Sequence, residues 1–291
     1  MQPSDFVVPP GTGAVSLADY DPASKAGMDS KSDARKLLAR DVKKLCKLQD
    51  KFAAQDSYAV LIVLQGMDAA GKDGIIKHVM SGLNPQGVNV FGFREPSPEE
   101  AKHDFLWRES KVLPERGRIA IFNRSYYEEV LIVRVHPDLL KTQGIDDPSP
   151  DIWPSRYEDI NAFERHLTRC GTTVVKFCLH ISKEQQRERL LERLETPDKM
   201  WKASDADLVA HSEWDAYAAA YEAMLANTST AWAPWHVVPS DHKWVARCVV
   251  GCIVVDALKK LHLKYPEPSP ERRARYAELA KQLLEEPRTA H

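Results

Sequence analysis

YAVLIVLQGMDAAGKDG, residues 58–74, decides the fold. Residues 58–66 form a continuous apolar, β-branched run ending in glycine, the pattern of a central parallel strand buried on both faces. Residues 66–73 nearly fit G-x-x-x-x-G-K-[ST], a loop whose backbone amides cradle phosphate, whose Lys reaches the outer phosphates and whose hydroxyl ligates Mg²⁺. Gly66, Gly71 and Lys72 match; the hydroxyl position is Asp73, and a second carboxylate, Asp68, stands inside the loop. GKDGIIKHVM (71–80) reads as the helix that such a loop needs, with its amino terminus turned toward the anion.

Further strands are expected at 88–93 (VNVFGF), 118–123 (RIAIFN), 172–181 (TTVVKFCLHI) and 235–239 (WHVVP), with helical stretches between them. That alternation implies an α/β fold with a mostly parallel, doubly wound sheet and ligands at the carboxyl ends of its strands. Leu38, Val42, Leu45, Leu48 and Phe52 mark an amphipathic helix over 31–55. SPEEAKHDFLWRES (97–110) reads as a helix with a capping box of Ser97 and Glu100. Residues 1–30, rich in Pro, Gly, Asp and Ser, read as an irregular arm, 141–154 as a surface loop and the last segment as a helical tail.

The 291 residues, 43% hydrophobic and 28% charged, suit one large domain with an appended lid. A net charge of −2 gives no global footprint for nucleic acid, so a polyanion must be gripped by a local basic cluster. Cys46, Cys170, Cys178, Cys248 and Cys252 show no CxxC pair and read as core thiols. With no basic-then-apolar leader pattern and no span-length apolar run, the expected setting is the cytoplasm, away from membranes.

Four stretches carry candidate chemistry. In the loop, a carboxylate beside phosphate is repelled unless a cation lies between, so Asp68 is the candidate Mg²⁺ ligand, a turn-capping role being the alternative. For Asp73 the exposed first helical turn is the simpler reading. GRIAIFNRSYYEEV (117–130) ends its strand in Asn123 where a carboxylate is usual, followed by Arg124 over the phosphates. FREP (93–96) resembles the acceptor segment of thymidylate kinases, with Arg94 and Arg108 as candidate nucleotide clamps; a surface salt bridge is an equal reading for either. In 185–205, Arg189 and Arg193 share a helix face and Lys199 and Lys202 flank a Pro-containing break. Such a group suits a cationic lid over transferring phosphates, against the plainer reading of a solvated helix laced with Glu188 and Glu192.

GMDAAGKDG, HVMSGLNPQGV, HDFLWR, IFNRSYYEEVLIVRVHP, RLLERLETPDKMWKAS and ANTSTAWAPWHVVPSDHKW, in this order, resemble the family-2 polyphosphate kinases over roughly residues 30–262. The resemblance implies a P-loop kinase-like three-layer αβα sandwich with a helical lid, similar to thymidylate kinase. It implies a kinase domain at 31–262 with the lid at about 185–205, an arm at 1–30 and a tail at 263–291. The implied reaction is reversible transfer of the terminal phosphoryl group of inorganic polyphosphate to AMP and ADP, giving ADP and ATP, with Mg²⁺ or alternatively Mn²⁺, in a homo-oligomer (dimer or tetramer). Asp68, Lys72, Arg124, Arg189 and Arg193 take the catalytic roles, with Asp68 as metal ligand. Polyphosphate falls to Gly66, Ala69, Ala70, Gly71, Lys72, Asp73, Lys77, Lys199 and Lys202, and the nucleotide to Asn84, Arg94, Arg108, Asn123, Glu128 and Arg134. NRSYYEE departs from the DRSWYNR type of the ADP-phosphorylating subgroup and agrees with the third subclass, which accepts AMP and ADP. Because a phosphate oxygen is already ionised, His78, His103 and His136 are read as structural or surface residues. Two alternatives stay open, an ATP-dependent nucleotide kinase and a catalytically silent nucleotide-binding regulatory protein.

Overall fold

The computed structural model describes residues 1–202 and 204–285; the end of the expected tail, 286–291, and residue 203 of the expected lid lie outside them. Strands β1 (Ala59–Gly66), β2 (Val88–Gly92), β3 (Ile119–Asn123), β4 (Thr172–His180) and β5 (Trp235–Pro239) form one sheet in the order β2-β3-β1-β4-β5, every pairing parallel. The helices are α1 (Lys31–Gln55), α2 (Lys72–Val79), α3 (Trp107–Ser110), α4 (Ile132–Val135), α5 (Ile152–Arg169), α6 (Lys183–Glu195), α7 (Pro197–Met200), α8 (Asp205–Ser212), α9 (Trp214–Thr228), α10 (Lys243–Lys260) and α11 (Pro270–Glu285).

Alternate residues of the sheet feed two cores. Val60, Ile62, Leu64, Ile121, Val175 and Phe177 face the layer of α1, α2 and α10. Leu61, Val63, Phe122, Val174 and Cys178 face the layer of α5 and α9. The apolar run at 59–64 is thus explained: β1 lies between β3 and β4 and is buried along its whole length. The α10 helix is apolar on nearly every side because it sits between the sheet and α1. Cys248, on α10, donates its thiol to the Ala34 carbonyl, a core role, and burial pushes its pKa up to about 11.

One expectation needs correction. Residues 97–110 do not form a continuous helix, although both capping-box hydrogen bonds between Ser97 and Glu100 are made. The first turn stops at His103, and the Asp104 side chain accepts from the Leu106 amide to start a separate turn that leads into α3. The amino-terminal stretch is irregular apart from two short 3-10 turns and packs on the core: Phe6, Val8, Leu17 and Met28 are buried, and Val7 bridges His236 at the outer edge of β5.

One buried polar cluster ties the α5–α9 layer to the sheet. The Lys176 ammonium on β4, fully enclosed, donates to Glu164 (2.6 Å), Tyr127 Oη (2.8 Å) and the Thr228 carbonyl (2.7 Å). The hydroxyls of Tyr126 and Tyr127 both donate to Glu164 Oε1, at 2.9 and 2.8 Å. Burial pushes the Lys176 pKa down while Glu164 opposes it. Lys176→Met strands the Glu164 carboxylate in the core and is expected to destabilise the fold by about 3–5 kcal/mol, read by urea unfolding; Lys176→Met with Glu164→Leu recovers most of that loss.

Candidate active site

The loop from Gly66 to Gly71 leaves β1 at the carboxyl end of the sheet. A Cβ on Gly66 would lie 2.8 Å from the Leu179 carbonyl oxygen on the neighbouring strand, so only glycine fits there. Gly71 adopts φ +109° and caps α2 with backbone alone, leaving the first amides of the helix facing the loop. Lys72 folds back, its ammonium donating to the Gly66 carbonyl and, at 3.4 Å, to that of Met67. Burial pushes its pKa down, and the charge of Asp68 works the other way.

The loop is braced from α6. Arg189, only 6% exposed, donates to the carbonyls of Ala69 (2.8 Å) and Ala70 (3.2 Å) on the loop, and of Ser240 (2.6 Å) and Asp241 (2.8 Å) at the end of β5. Gln186, one turn earlier, donates to the Asp68 carbonyl at 3.0 Å. This corrects the reading of Arg189 as a mobile lid cation: its guanidinium is committed to four carbonyls. Arg193, one turn further along α6, pairs with Asp207 of α8 at 3.0 Å. Lys199 is tied to Glu192.

Across the loop stands Arg124, just past β3, in the left-handed region at φ +65° with its amide donating to the Leu64 carbonyl. For a residue with a Cβ that conformation costs about 1–2 kcal/mol, and it turns the side chain back over the strand ends. Its guanidinium meets Asp68 Oδ1 at 2.8 Å and Glu128 Oε2 at 3.8 Å. Burial opposes its charge, but Glu128 and Asp68 together raise its pKa above the ordinary value. Gln65 holds the other oxygen of Glu128 at 3.1 Å. Gly66, Asp68, Arg124 and Glu128 line a cavity closed on its far side by Tyr217 and Tyr221 of α9.

The carboxylate absent from the end of β3 reappears on α2. Asn123 Nδ2 donates to Asp73 Oδ1 at 2.9 Å, and Lys202 lies 3.6 Å from Asp73 Oδ2. The usual hydroxyl-and-carboxylate pair thus becomes a carboxylate-and-amide pair with the positions of acid and neutral partner exchanged.

Other expected contacts are less central. Asn84 precedes β2, at the amino end of the sheet opposite the loop, and its side chain accepts from the Gln86 amide within a turn; the structure does not bring it to the site. Arg94 is exposed just beyond β2. Arg108 reaches the Arg94 carbonyl at 2.8 Å but is otherwise paired with Glu109 and laid over Phe93. Arg134 donates to the Tyr157 hydroxyl and lies beside the Trp153 ring. Lys77 is exposed at the far end of α2.

The sequence reading missed Asp207, whose pKa burial and the Asp68 charge push up, and Tyr217 and Tyr221. The two tyrosines stand one helical turn apart in an otherwise alanine-rich stretch, 214–223, and that spacing was the available signal.

A parallel sheet, a glycine loop with its lysine at the carboxyl end of the central strand, and an arginine facing it define a P-loop phosphotransferase. Residues 28–266 match the family model of Polyphosphate kinase 2 (PPK2), and the chain belongs to that family. It is 48% identical over 259 residues to the ADP-polyphosphate phosphotransferase of Rhodopseudomonas palustris, covering 88% of this chain and 90% of that protein. It is 43% identical over 257 residues to the AMP/ADP-polyphosphate phosphotransferase of Meiothermus ruber, covering 88% and 93%. A crystal structure of Polyphosphate Kinase 2 from Arthrobacter aurescens TC1 superposes with a TM-score of 0.88 at 41% identity, covering 97% of each chain.

Lys72→Ala and Asp68→Ala are each expected to lower phosphoryl-transfer turnover by at least about 100-fold with an unchanged urea midpoint, since each removes charge stabilisation rather than packing. Arg189→Ala should lower turnover and the urea midpoint together, because it releases buried carbonyls in the loop and the β5–α10 connection.

Proposed function

We propose that this protein transfers the terminal phosphoryl group of inorganic polyphosphate to AMP and to ADP, reversibly, giving ADP and ATP. The observation that carries this reading is the Arg124–Asp68 pair, 2.8 Å apart in a cavity at the end of the glycine loop, with Lys72 folded onto the Gly66 carbonyl of the same loop. A linear polyphosphate offers no base or sugar to recognise, and backbone amides, Lys and Arg are what it requires. Lys72 takes charge from the donor phosphates, Arg124 bridges donor and acceptor, and the nucleotide lies toward Glu128, Tyr217 and Tyr221. Arg193 and Lys202 close over the phosphates and exclude water. The attacking oxygen of AMP or ADP is already ionised, so catalysis rests on alignment and charge rather than on a base.

Asp68 is the residue we assign to a divalent cation, Mg²⁺ with Mn²⁺ as the alternative. No group of three or more acidic, His or Cys ligands exists among the described residues. A single loop carboxylate fits Mg²⁺, which takes one or two protein oxygens and completes its shell from phosphate and water. When bound, the ion supplies neutralisation of the phosphate charge.

The AMP-accepting reading leans on Asn123 and Glu128, which carry the neutral and acidic positions of NRSYYEE. We also infer a cytoplasmic homo-oligomer; no helix among the described residues is long and apolar enough to cross a membrane.

The deciding experiment supplies long-chain polyphosphate and Mg²⁺ with AMP or ADP alone and follows all nucleotides by chromatography. AMP is expected to yield ADP and then ATP; transfer from ATP but not from polyphosphate would establish the ATP-dependent kinase instead. Asn123→Asp should shift the AMP-to-ADP rate ratio toward ADP by about tenfold, roughly 1.4 kcal/mol, and an unchanged ratio would remove Asn123 from specificity.

A further inference from the structure

His136 lies outside the loop and its arginines, yet it touches a residue that lines the cavity. The chain sets its place: Pro137 follows, and a residue before proline is pushed out of helical geometry, so α4 stops at Val135. His136 takes φ −119° and ψ 75° at the start of the 3-10 turn Pro137–Gln143. The imidazole so placed meets two residues of one helix face. Glu213, where α8 ends and α9 begins, brings its Oε2 to 3.1 Å from His136 Nε2. Tyr217, one turn further on, places its hydroxyl 3.3 Å from the same nitrogen, with the two rings edge to face at 6.2 Å. On its other side Tyr217 lines the cavity of Asp68, Arg124 and Glu128.

Glu213 decides the direction of the bond between His136 and Tyr217. Its Oε2 is enclosed and makes no hydrogen bond among the described residues. A bare lone pair on Nε2 would set two acceptors against each other across 3.1 Å, so the proton of the neutral ring belongs on Nε2, as it does in the charged ring. Nε2–H then donates to Tyr217 Oη, and the hydroxyl is the acceptor. Its own proton has no other partner among the described residues. Burial and the charges of Glu128, Glu213 and Asp68 push the Tyr217 pKa up to about 12, with Arg124 acting against them, so the hydroxyl keeps that proton at neutral pH. An O–H donor polarised by the histidine behind it therefore stands on the wall of the cavity, within the field of Arg124.

We propose that His136 is a positioning residue, which turns the Tyr217 hydroxyl so that its proton is donated to a phosphate oxygen of the acceptor nucleotide. The proposal rests on the reading of the cavity as the acceptor site and deepens it. A hydrogen bond to an ionised phosphate is stronger than one between neutral groups, and it orients the acceptor beside Arg124 without adding another cation. Since Glu213 stands at the root of α8, the same imidazole ties the acceptor wall to the helix whose Asp207 pairs with Arg193.

The test reads AMP binding by calorimetry with no donor present, together with the KM for AMP and for long-chain polyphosphate during transfer. Tyr217→Phe keeps the ring and should raise the Kd and KM for AMP about tenfold, the loss of one hydrogen bond to a charged group, with the polyphosphate KM within about twofold of the parental value. His136→Leu should give the same rise. His136→Gln, whose amide donates from the place of Nε2, should restore most of the affinity. His136→Leu with Tyr217→Phe should bind AMP no worse than Tyr217→Phe alone, because both act through one bond. If His136→Leu does not fold, His136→Asn, which stays polar but falls short of Tyr217, takes its place. Unchanged AMP affinity in Tyr217→Phe, fully additive losses in the double variant, or a rise confined to the polyphosphate KM overturns the proposal. A parental protein that binds AMP but takes no phosphoryl group from polyphosphate removes the donor reading alone, and the calorimetric comparison still decides the Tyr217 contact.

Discussion

The four carbonyl bonds made by Arg189 are the constraint on which the catalytic end of the molecule depends. A glycine loop has little geometry of its own, because glycine gives up more freedom on ordering than any other residue. Here the loop is held to the β5–α10 connection by one guanidinium, which fixes both against α6. Burying that cation is costly, as the downward push of its pKa by burial records, and the carbonyl dipoles supply the compensation. A loop so fixed aims its amides before any phosphate arrives, and preorganised donors stabilise charge without the cost of turning toward it.

The same principle governs the charges inside the cavity. Asp68 neutralises Arg124 at 2.8 Å, and Glu128 sits further out at 3.8 Å. Arg193 is matched in the same way by Asp207. Each arginine is thus paired with a carboxylate, so the cleft does not hold naked cations in a half-buried space. The exchanged pair of Asp73 and Asn123 obeys the same logic, since the carboxylate is met by an amide donor at 2.9 Å and by Lys202 at 3.6 Å.

Much of this was legible in the residues. The run at 58–66 could be nothing but a central strand, and the five strands fall within a residue or two of where β-branched clusters end in turn residues. Gly66, Gly71 and Lys72 declared the loop because backbone geometry and a fixed side-chain reach leave few other sequences. Arg189 was misread for a physical reason: a helix face shows which residues are neighbours, but not whether their partner is a ligand or four carbonyls on segments fifty and more residues away. Asp207 was missed for a related reason, because its place depends on how α8 folds over the cavity, while the spacing of Tyr217 and Tyr221 marks a shared helix face without saying what that face covers. At 97–110 the local signal was correct and still insufficient, since a well-made cap begins a helix without saying where it ends.

The amino-terminal segment carries a consequence beyond the core it fills. The bridge of Val7 to His236, with the Val8 amide donating to the Trp235 carbonyl at 2.9 Å, occupies the outer side of β5. At the other margin β2 pairs with β3 alone and leaves Val90 47% exposed. The sheet is therefore one-sided with respect to growth by strand addition. A second molecule joining through its own β2 would consume the open margin of each, so edge-to-edge assembly of this fold stops at two and cannot propagate into a fibre.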